Sequence, residues 1–358
     1  GMPILKYQSE EFDIMGNLKK HFEEDILFTN IISEGDGTIA SLEALLLNIP
    51  YRPNSFPFSQ SDYAQTSFTF SPAFLYNAKG YNTSFIYGGD STWRDLGKFV
   101  KYQDYKTVEG KQDIFSSIKI TQKESEYFHP WGIYDEYLYD HILNKLEISN
   151  GKEMILALST NNHPPYNIPN GYKSKILSYS EDLKNHITGD FGLAEQRLKS
   201  YGYALDSVGT FLDKFKQSKF KDNTIVVITA DNNTIEGIMK YDDNPIFTSK
   251  NIPIYFYLPQ KLKEKLEIDT TVAGSQKDIF PTLYNLTLKD TKYLSIGNNL
   301  FDKIHPHFGF NGSMIVNNGS EVRKLNNLKE TSEDELVNYY KASLAVTEYL
   351  IKNYKNEE

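Results

Sequence analysis

The stretch Thr224-Ile225-Val226-Val227-Ile228-Thr229-Ala230-Asp231-Asn232-Asn233 carries the clearest structural signal in the chain. A short run of β-branched and apolar residues, closed by an acid and two amides, reads as a buried strand. Such a strand delivers oxygen-bearing side chains to its carboxyl end. Working outward, Tyr81–Tyr87, Met154–Ser159 and Pro253–Leu258 have the same texture. Between Met154–Ser159 and Thr224–Ala230, the residues Leu198, Tyr201, Leu205, Val208, Leu212 and Phe215 recur at three- and four-residue steps, which predicts a long helix with one apolar face. Shorter helices are predicted at Ser41–Leu47, Trp131–Leu146 and Lys277–Asn285. Strand–helix alternation of this kind predicts an α/β fold with a mainly parallel central sheet flanked by helices.

The texture changes after Gly297. Ser313–Val316 and Glu321–Leu325 flank Asn318-Gly319, the signature of a tight hairpin. A final helix follows, with Ser332 and Glu335 at capping-box spacing, Glu333 and Asp334 at its start, and Leu336, Tyr340 and Leu344 on one face. These features predict a catalytic-sized domain over residues 1–300 and a small hairpin-plus-helix subdomain over 301–358. The polar segment Gly97–Tyr127 reads as a long loop or insertion over the sheet.

Composition narrows the chemistry. The chain has 358 residues, 38 Lys+Arg against 47 Asp+Glu, a formal net charge of −9 and no cysteine. Zero Cys excludes disulfides, thiolate metal sites and a cysteine nucleophile, though not any compartment. The acidic balance argues against a nucleic-acid binder. No apolar run approaches the roughly 20 residues needed to span a bilayer. No signal peptide is recognisable at Gly1-Met2-Pro3, so a mature chain or a piece of a longer anchored protein is expected.

Four clusters can carry chemistry. Asp231 and Asn232 offer oxygens to a hard divalent cation, or simply shape a turn. Glu34-Gly35-Asp36-Gly37-Thr38 runs into a predicted helix, where Thr38 is either a nucleophile beside an anion site or an N-cap. His163, in Asn161-Asn162-His163-Pro164-Pro165-Tyr166, can protonate a leaving group or be structural. In Tyr87-Gly88-Gly89-Asp90-Ser91-Thr92-Trp93-Arg94, Arg94 can clamp an anion and Trp93 can wall a polyol, or the loop is a glycine turn with a packed Trp. Each cluster follows a predicted strand or opens a helix, so one sheet edge would gather them.

In this order the motifs resemble the catalytic domain of lipoteichoic acid synthase and related phosphoglycerol transferases, of the alkaline phosphatase/sulfatase superfamily. The matching segments are Phe28-Thr29-Asn30 through Gly37-Thr38 to Pro50, Phe85–Arg94, Pro130-Trp131-Gly132 through Glu136, Asn161–Tyr166, Asp222-Asn223-Thr224 through Asp231, and Ser275–Thr282. The resemblance covers residues 28 to 310. It implies Thr38 as a nucleophile forming a phosphoryl intermediate, Thr38, Asp231 and Asn232 as metal ligands, and Trp93, Arg94 and His163 as contacts to a glycerol phosphate. It also implies a glycerol-phosphate polymer or phospholipid head group as partner, and a location outside the cytoplasm.

Three departures qualify it. Asp231-Asn232 stands where the synthases have Asp-His, which shifts the expected metal toward Ca²⁺, Mg²⁺ or Mn²⁺ and away from Zn²⁺. Tyr87 stands where they have a substrate-binding His. The family's earlier strand ending in a metal-binding Glu has no clear counterpart before Thr38, with Glu10 or Glu11 as a degenerate substitute or the strand missing. A sulfatase would need Cys or Ser where Thr38 stands. The alternative to an enzyme is a weakly active or inactive relative that binds an envelope polymer or a partner.

Overall fold

The computed structural model describes residues 2–233, 237–241, 244–319, 321–325 and 334–353. Ser332 of the expected capping box and the acidic Glu333 lie outside the described residues. In chain order the strands are β1 Ile26–Ile32, β2 Tyr81–Tyr87, β3 Thr107–Glu109, β4 Phe128–His129, β5 Gly132–Ile133, β6 Lys152–Leu158, β7 Val226–Thr229, β8 Asn251–Tyr257, β9 Phe308–Asn311, β10 Met314–Asn317 and β11 Val322–Lys324. The α-helices are α1 Leu18–Glu24, α2 Thr38–Leu47, α3 Pro72–Ala78, α4 Leu96–Tyr102, α5 Lys111–Ser116, α6 Asp135–Ile148, α7 Glu181–His186, α8 Phe191–Gln217, α9 Pro245–Lys250, α10 Gln260–Lys263, α11 Ile279–Thr287 and α12 Glu335–Asn353.

Two three-stranded sheets form the centre. One is parallel, ordered β3-β2-β6, with Tyr81 opposite Lys152 and Tyr87 opposite Leu158. The other is ordered β1-β8-β7, and β8 runs antiparallel to both neighbours, so β1 and β7 are parallel to each other. The alternation of side chains along a strand explains the layering. Phe85 and Tyr87 of β2 enter a core with Leu42 and Leu46 of α2, Phe99 of α4 and Phe280 of α11, whereas Ile86 faces Leu138 and Ile142 of α6 and Leu212 of α8. On β8, Ile252, Ile254 and Phe256 join Ile26 and Phe28 of β1, and Tyr255 points the other way.

Two expectations change. The segment 97–127 is not a loop: it contains most of α4, then β3 as the edge of the parallel sheet, then α5. The helix expected from Trp131 begins at Asp135, because Gly132–Ile133 pairs with Phe128–His129 as a short ribbon. The ribbon lies so close to the loop after β2 that a Cβ on Gly132 would lie 2.1 Å from the Gly88 carbonyl oxygen. The expected C-terminal hairpin is β10–β11, with β9 added on its other side. Tyr340, Leu336 and Leu344 of α12 pack on Phe310 and Ile315, while Met314 and Val316 pack on Ile32 of β1.

Candidate active site

The loop from β1 to α2 positions Thr38. Gly35 lies so close to α2 that a Cβ there would stand 2.4 Å from the Ala40 Cβ. Gly37, with φ −158 and ψ 161, is the N-cap and offers no side-chain cap. Thr38 is therefore the first helical residue and not the cap, which leaves its hydroxyl available. That hydroxyl donates to Asp231 Oδ2 at 2.5 Å, a short charge-assisted geometry. Asp231 follows β7 directly, and its Oδ1 accepts the Asn232 amide at 2.8 Å. The Asp231 carboxylate thus both shapes the turn and meets Thr38 across 193 residues of sequence.

A buried polar bracket holds these two loops together. Gln276 is 1% exposed. Its Oε1 accepts the Glu34 amide at 2.6 Å, and its Nε2 donates to the carbonyls of Ala230 and Asp231 at 3.0 and 3.1 Å. Glu34, also buried, accepts from Ser275 Oγ at 2.5 Å and from the Tyr51 amide at 2.9 Å. Burial pushes the Glu34 carboxyl up to about 7 despite Lys277 nearby. Lys277 itself is buried against both Asp278 oxygens at 2.7 Å and the Phe308 carbonyl at 2.7 Å. The sequence marks Ser275–Thr282 only as a shared helix; the bracketing role of Gln276 emerges from tertiary contact alone.

The remaining expected residues form two further groups. After β2, Trp93 packs on Tyr87 with ring centroids 6.3 Å apart, and the Arg94 guanidinium sits 5.4 Å from the Trp93 ring. Arg94 also donates to Gln60 Oε1 at 2.8 Å and has a left-handed backbone, φ 51. After β6, the His163 ring lies 3.8 Å from that of Trp131. Its loop is locked from behind. The Asp135 Oδ1 accepts the amides of Thr160 and Asn161 at 3.1 and 3.2 Å, and Asn161 Oδ1 accepts the Asp135 amide at 3.1 Å. Burial raises the Asp135 carboxyl to about 7. It also lowers neighbouring His129, which faces Thr160 Oγ1 at 3.1 Å, to about 4.

A cleft of about 360 Å³ is lined in part by Ser33, Asp36, Asn232, Lys250 and Arg197, so it involves the β1–α2 loop that leads to Thr38 and the residue that follows Asp231. Lys250 pairs with Asp36 at 3.0 Å. Arg197, on α8, has no counterpart among the residues expected from sequence. Its position beside the apolar stripe of that helix gave no signal, since a long helix carries many such cations.

The donor set at Thr38 can be tested against a metal. Thr38 hydroxyl, Asp231 carboxylate and Asn232 amide are hard oxygen donors, and Mg²⁺ commonly uses one or two carboxylates completed by substrate phosphate. They fit such a cation. Among the described residues no group of three or more His, Asp or Glu side chains converges. Glu10 and Glu11 do not supply the expected acid: they are exposed, and the Glu11 carbonyl is bonded to the amides of Leu177 and Ser178 at 2.8 and 3.0 Å.

The α/β fold, carrying a small antiparallel sheet near its end, is of the alkaline phosphatase-like class. The chain belongs to the Sulfatase family, whose profile matches residues 2–288. Phosphoglycerol transferase I of Xanthomonas campestris pv. campestris is 24% identical over 309 residues, covering 80% of this chain and 39% of that protein. The chain thus spans about two fifths of that relative's length. The lipoteichoic acid synthase LtaP from Listeria monocytogenes superposes with a TM-score of 0.72 at 16% identity, covering 98% of this chain and 91% of that one. The Streptococcus pyogenes phosphoglycerol transferase GacH, in complex with sn-glycerol-1-phosphate, gives 0.59 at 13% identity, covering 96% and 82%.

Proposed function

We propose that this chain is a phosphoryl transferase or phosphodiesterase acting on glycerol-phosphate substrates of the cell envelope, with Thr38 as nucleophile. The observation that carries the reading is the 2.5 Å hydrogen bond from Thr38 to Asp231 at the start of α2. The kinship with phosphoglycerol transferases supports the substrate class. Thr38 Oγ attacks phosphorus while its proton leaves along the bond to Asp231. The bond from phosphorus to the departing alcohol breaks, and His163 supplies that oxygen with a proton. An acceptor hydroxyl, or water, then attacks the phosphothreonine and restores Thr38. The amides at the start of α2 favour the anionic group, Arg94 clamps it and Trp93 walls the glycerol. A divalent cation held by Thr38, Asp231 and Asn232, with Ca²⁺, Mg²⁺ or Mn²⁺ suited to these oxygens, would lower the hydroxyl pKa and offset phosphoryl charge.

Among the described residues no helix is long and apolar enough to cross a membrane. The reading places the working domain outside the cytoplasm, at the surface where envelope polymers lie. The second reading, a relative that binds envelope polymer without turnover, is favoured by the lack, among the described residues, of three or more converging His, Asp or Glu side chains. A sulfatase reading has no support at Thr38, which cannot become formylglycine. Mass spectrometry decides between the first two. Incubation with Mg²⁺, Mn²⁺, Ca²⁺ or Zn²⁺ and a glycerophosphodiester is expected to place a phosphoryl or phosphoglyceryl group on Thr38, absent from Thr38→Ala. Neither adduct nor turnover with any of these metals overturns the enzymatic reading.

A further inference from the structure

Arg197 lies where no partner in the fold explains it. It lies on α8 and lines the cleft that Asp36 and Asn232 also line, two residues from Thr38 and one from Asp231 in sequence, and its Nε is buried with no hydrogen-bond partner. The guanidinium makes no ion pair among the described residues; its aromatic neighbour is the Tyr166 ring, 5.5 Å from it. Desolvation depresses its pKa, and the groups that oppose that shift are the phenols of Tyr166 and Tyr241, with no carboxylate among them. A guanidinium removed from water without a counter-charge is destabilising, and an anion is the remedy.

The rest of the cleft agrees. Ser33 Oγ, on a residue 0% exposed, lines the same cleft and also has no hydrogen-bond partner. Two residues that line one cleft thus each carry a buried donor without a hydrogen-bond partner, one of them on a charged group. Lys250 pairs with Asp36 on its wall, whereas Arg197 has no ion pair among the described residues. Asn232 supplies an amide on the same wall. A volume of about 360 Å³ suits a small phosphorylated polyol.

We infer that Arg197 and Ser33 form a phosphate-binding subsite adjoining Thr38, which holds the anionic group of a glycerol phosphate while Thr38 reacts. This deepens the proposed function and rests on Thr38–Asp231 being the reacting pair. Arg94 is not interchangeable with Arg197, because Arg94 is exposed and engaged with Gln60. The planar fork of a guanidinium gives bidentate contact to phosphate, which a lysine cannot reproduce.

The test separates this subsite from catalysis by measuring binding in a Thr38→Ala background. Titration calorimetry with inorganic phosphate and with sn-glycerol 1-phosphate is run on Thr38→Ala, Thr38→Ala/Arg197→Gln and Thr38→Ala/Arg197→Lys. The expected result is saturable binding to Thr38→Ala, a Kd at least tenfold weaker for Arg197→Gln, an intermediate Kd for Arg197→Lys, and an anion-free melting temperature for Arg197→Gln that is not lowered. No binding of either anion to Thr38→Ala overturns the subsite, as does equal binding to all three proteins. A fall in melting temperature with unchanged Kd also overturns it, by making Arg197 a packing residue. Loss of turnover chemistry at Thr38 leaves these readouts intact, so the subsite and the reaction fail separately.

Discussion

At the scale of single residues, the site is a study in what burial does to acids. Asp135 is the sharpest case. Its Oδ1 accepts two amides, while its Oδ2 is buried with no partner, a geometry in which a proton on Oδ2 is more comfortable than a charge. The carboxyl accordingly sits near 7 against an ordinary value of 3.8. The sign follows from proton counts: between those values the folded chain holds a proton that the unfolded chain has released. Stability from this group is therefore fully present below pH 3.8 and is lost as pH rises to about 7. The loss amounts to at most about 4 kcal/mol. Asp135→Asn keeps the Oδ1 acceptor and fixes the neutral state. Urea denaturation is expected to give this variant a flatter stability profile from pH 4 to 8 and greater stability than wild type at pH 8. An unchanged slope would show that Asp135 is ionised throughout. Thr38 and Asp231 are legible in the sequence because each closes or opens an element, and Gly37 marks the bend before Thr38. Arg197 is not, since its significance is the absence of a partner among the described residues, which leaves no local pattern; Asp135 lies in the Trp131–Glu136 segment that the sequence marks, but its burial leaves no local pattern.

At the scale of elements, the Thr38–Asp231 contact depends on two loops that never meet in sequence. Gln276, in the turn before α11, ties the β1–α2 loop to the end of β7 through three hydrogen bonds. Gln276→Leu keeps the volume and removes them all, leaving the Glu34 amide and the Ala230 carbonyl buried without that partner. Each orphaned group costs about 1–3 kcal/mol. The variant is expected to lose roughly 2–4 kcal/mol by chemical denaturation, and to slow phosphoryl labelling of Thr38 by more than its unfolded fraction explains. A loss below about 0.5 kcal/mol would mean that the loops are held apart from this bracket. The strand Val226–Thr229 is readable because a continuous apolar run is a local signal, and Tyr81–Tyr87 because the aromatic and β-branched Phe85-Ile86-Tyr87 close it just before a glycine turn. The elements α4, β3 and α5 are not: they are three to seven residues long, polar on one side, and owe their form to packing, as when Phe99 stacks on Phe58. The first strand, Ile26–Ile32, escapes for another reason. Thr29 and Asn30 interrupt its apolar run, and Asn30 is paid for by bonds to the carbonyls of Thr271 and Asn317 that no local reading can foresee.

At the scale of the whole molecule, the two central sheets share a core without sharing a strand. Ile155 of β6 and Val226 and Ile228 of β7 pack against the same cluster as Leu138 of α6 and Leu212 of α8. Each of β6 and β7 is nonetheless terminal in its own sheet, with one edge unpaired among the described residues. Burial follows that arrangement. In β2 the run from Thr83 to Tyr87 is buried throughout, whereas Ala157 of β6 is exposed and every residue of β7 is only half-buried. Strands in the middle of an α/β protein are ordinarily covered on both faces and paired on both edges, so β6 and β7 are the weak seam of this fold. Hydrogen exchange reads the seam directly. The amides of β2 and β8, paired on both sides, are expected to exchange slowest. In β6 and β7 the amides that face away from β2 and β8 are expected to exchange markedly faster, in a pattern that alternates along each strand. Equal protection of all four strands would mean that another strand covers these edges in solution, since an unpaired edge invites one. Repeating the measurement across a hundredfold range of protein concentration then tells the two cases apart: an edge covered by a second copy loses its protection on dilution, and an edge covered from within the chain does not.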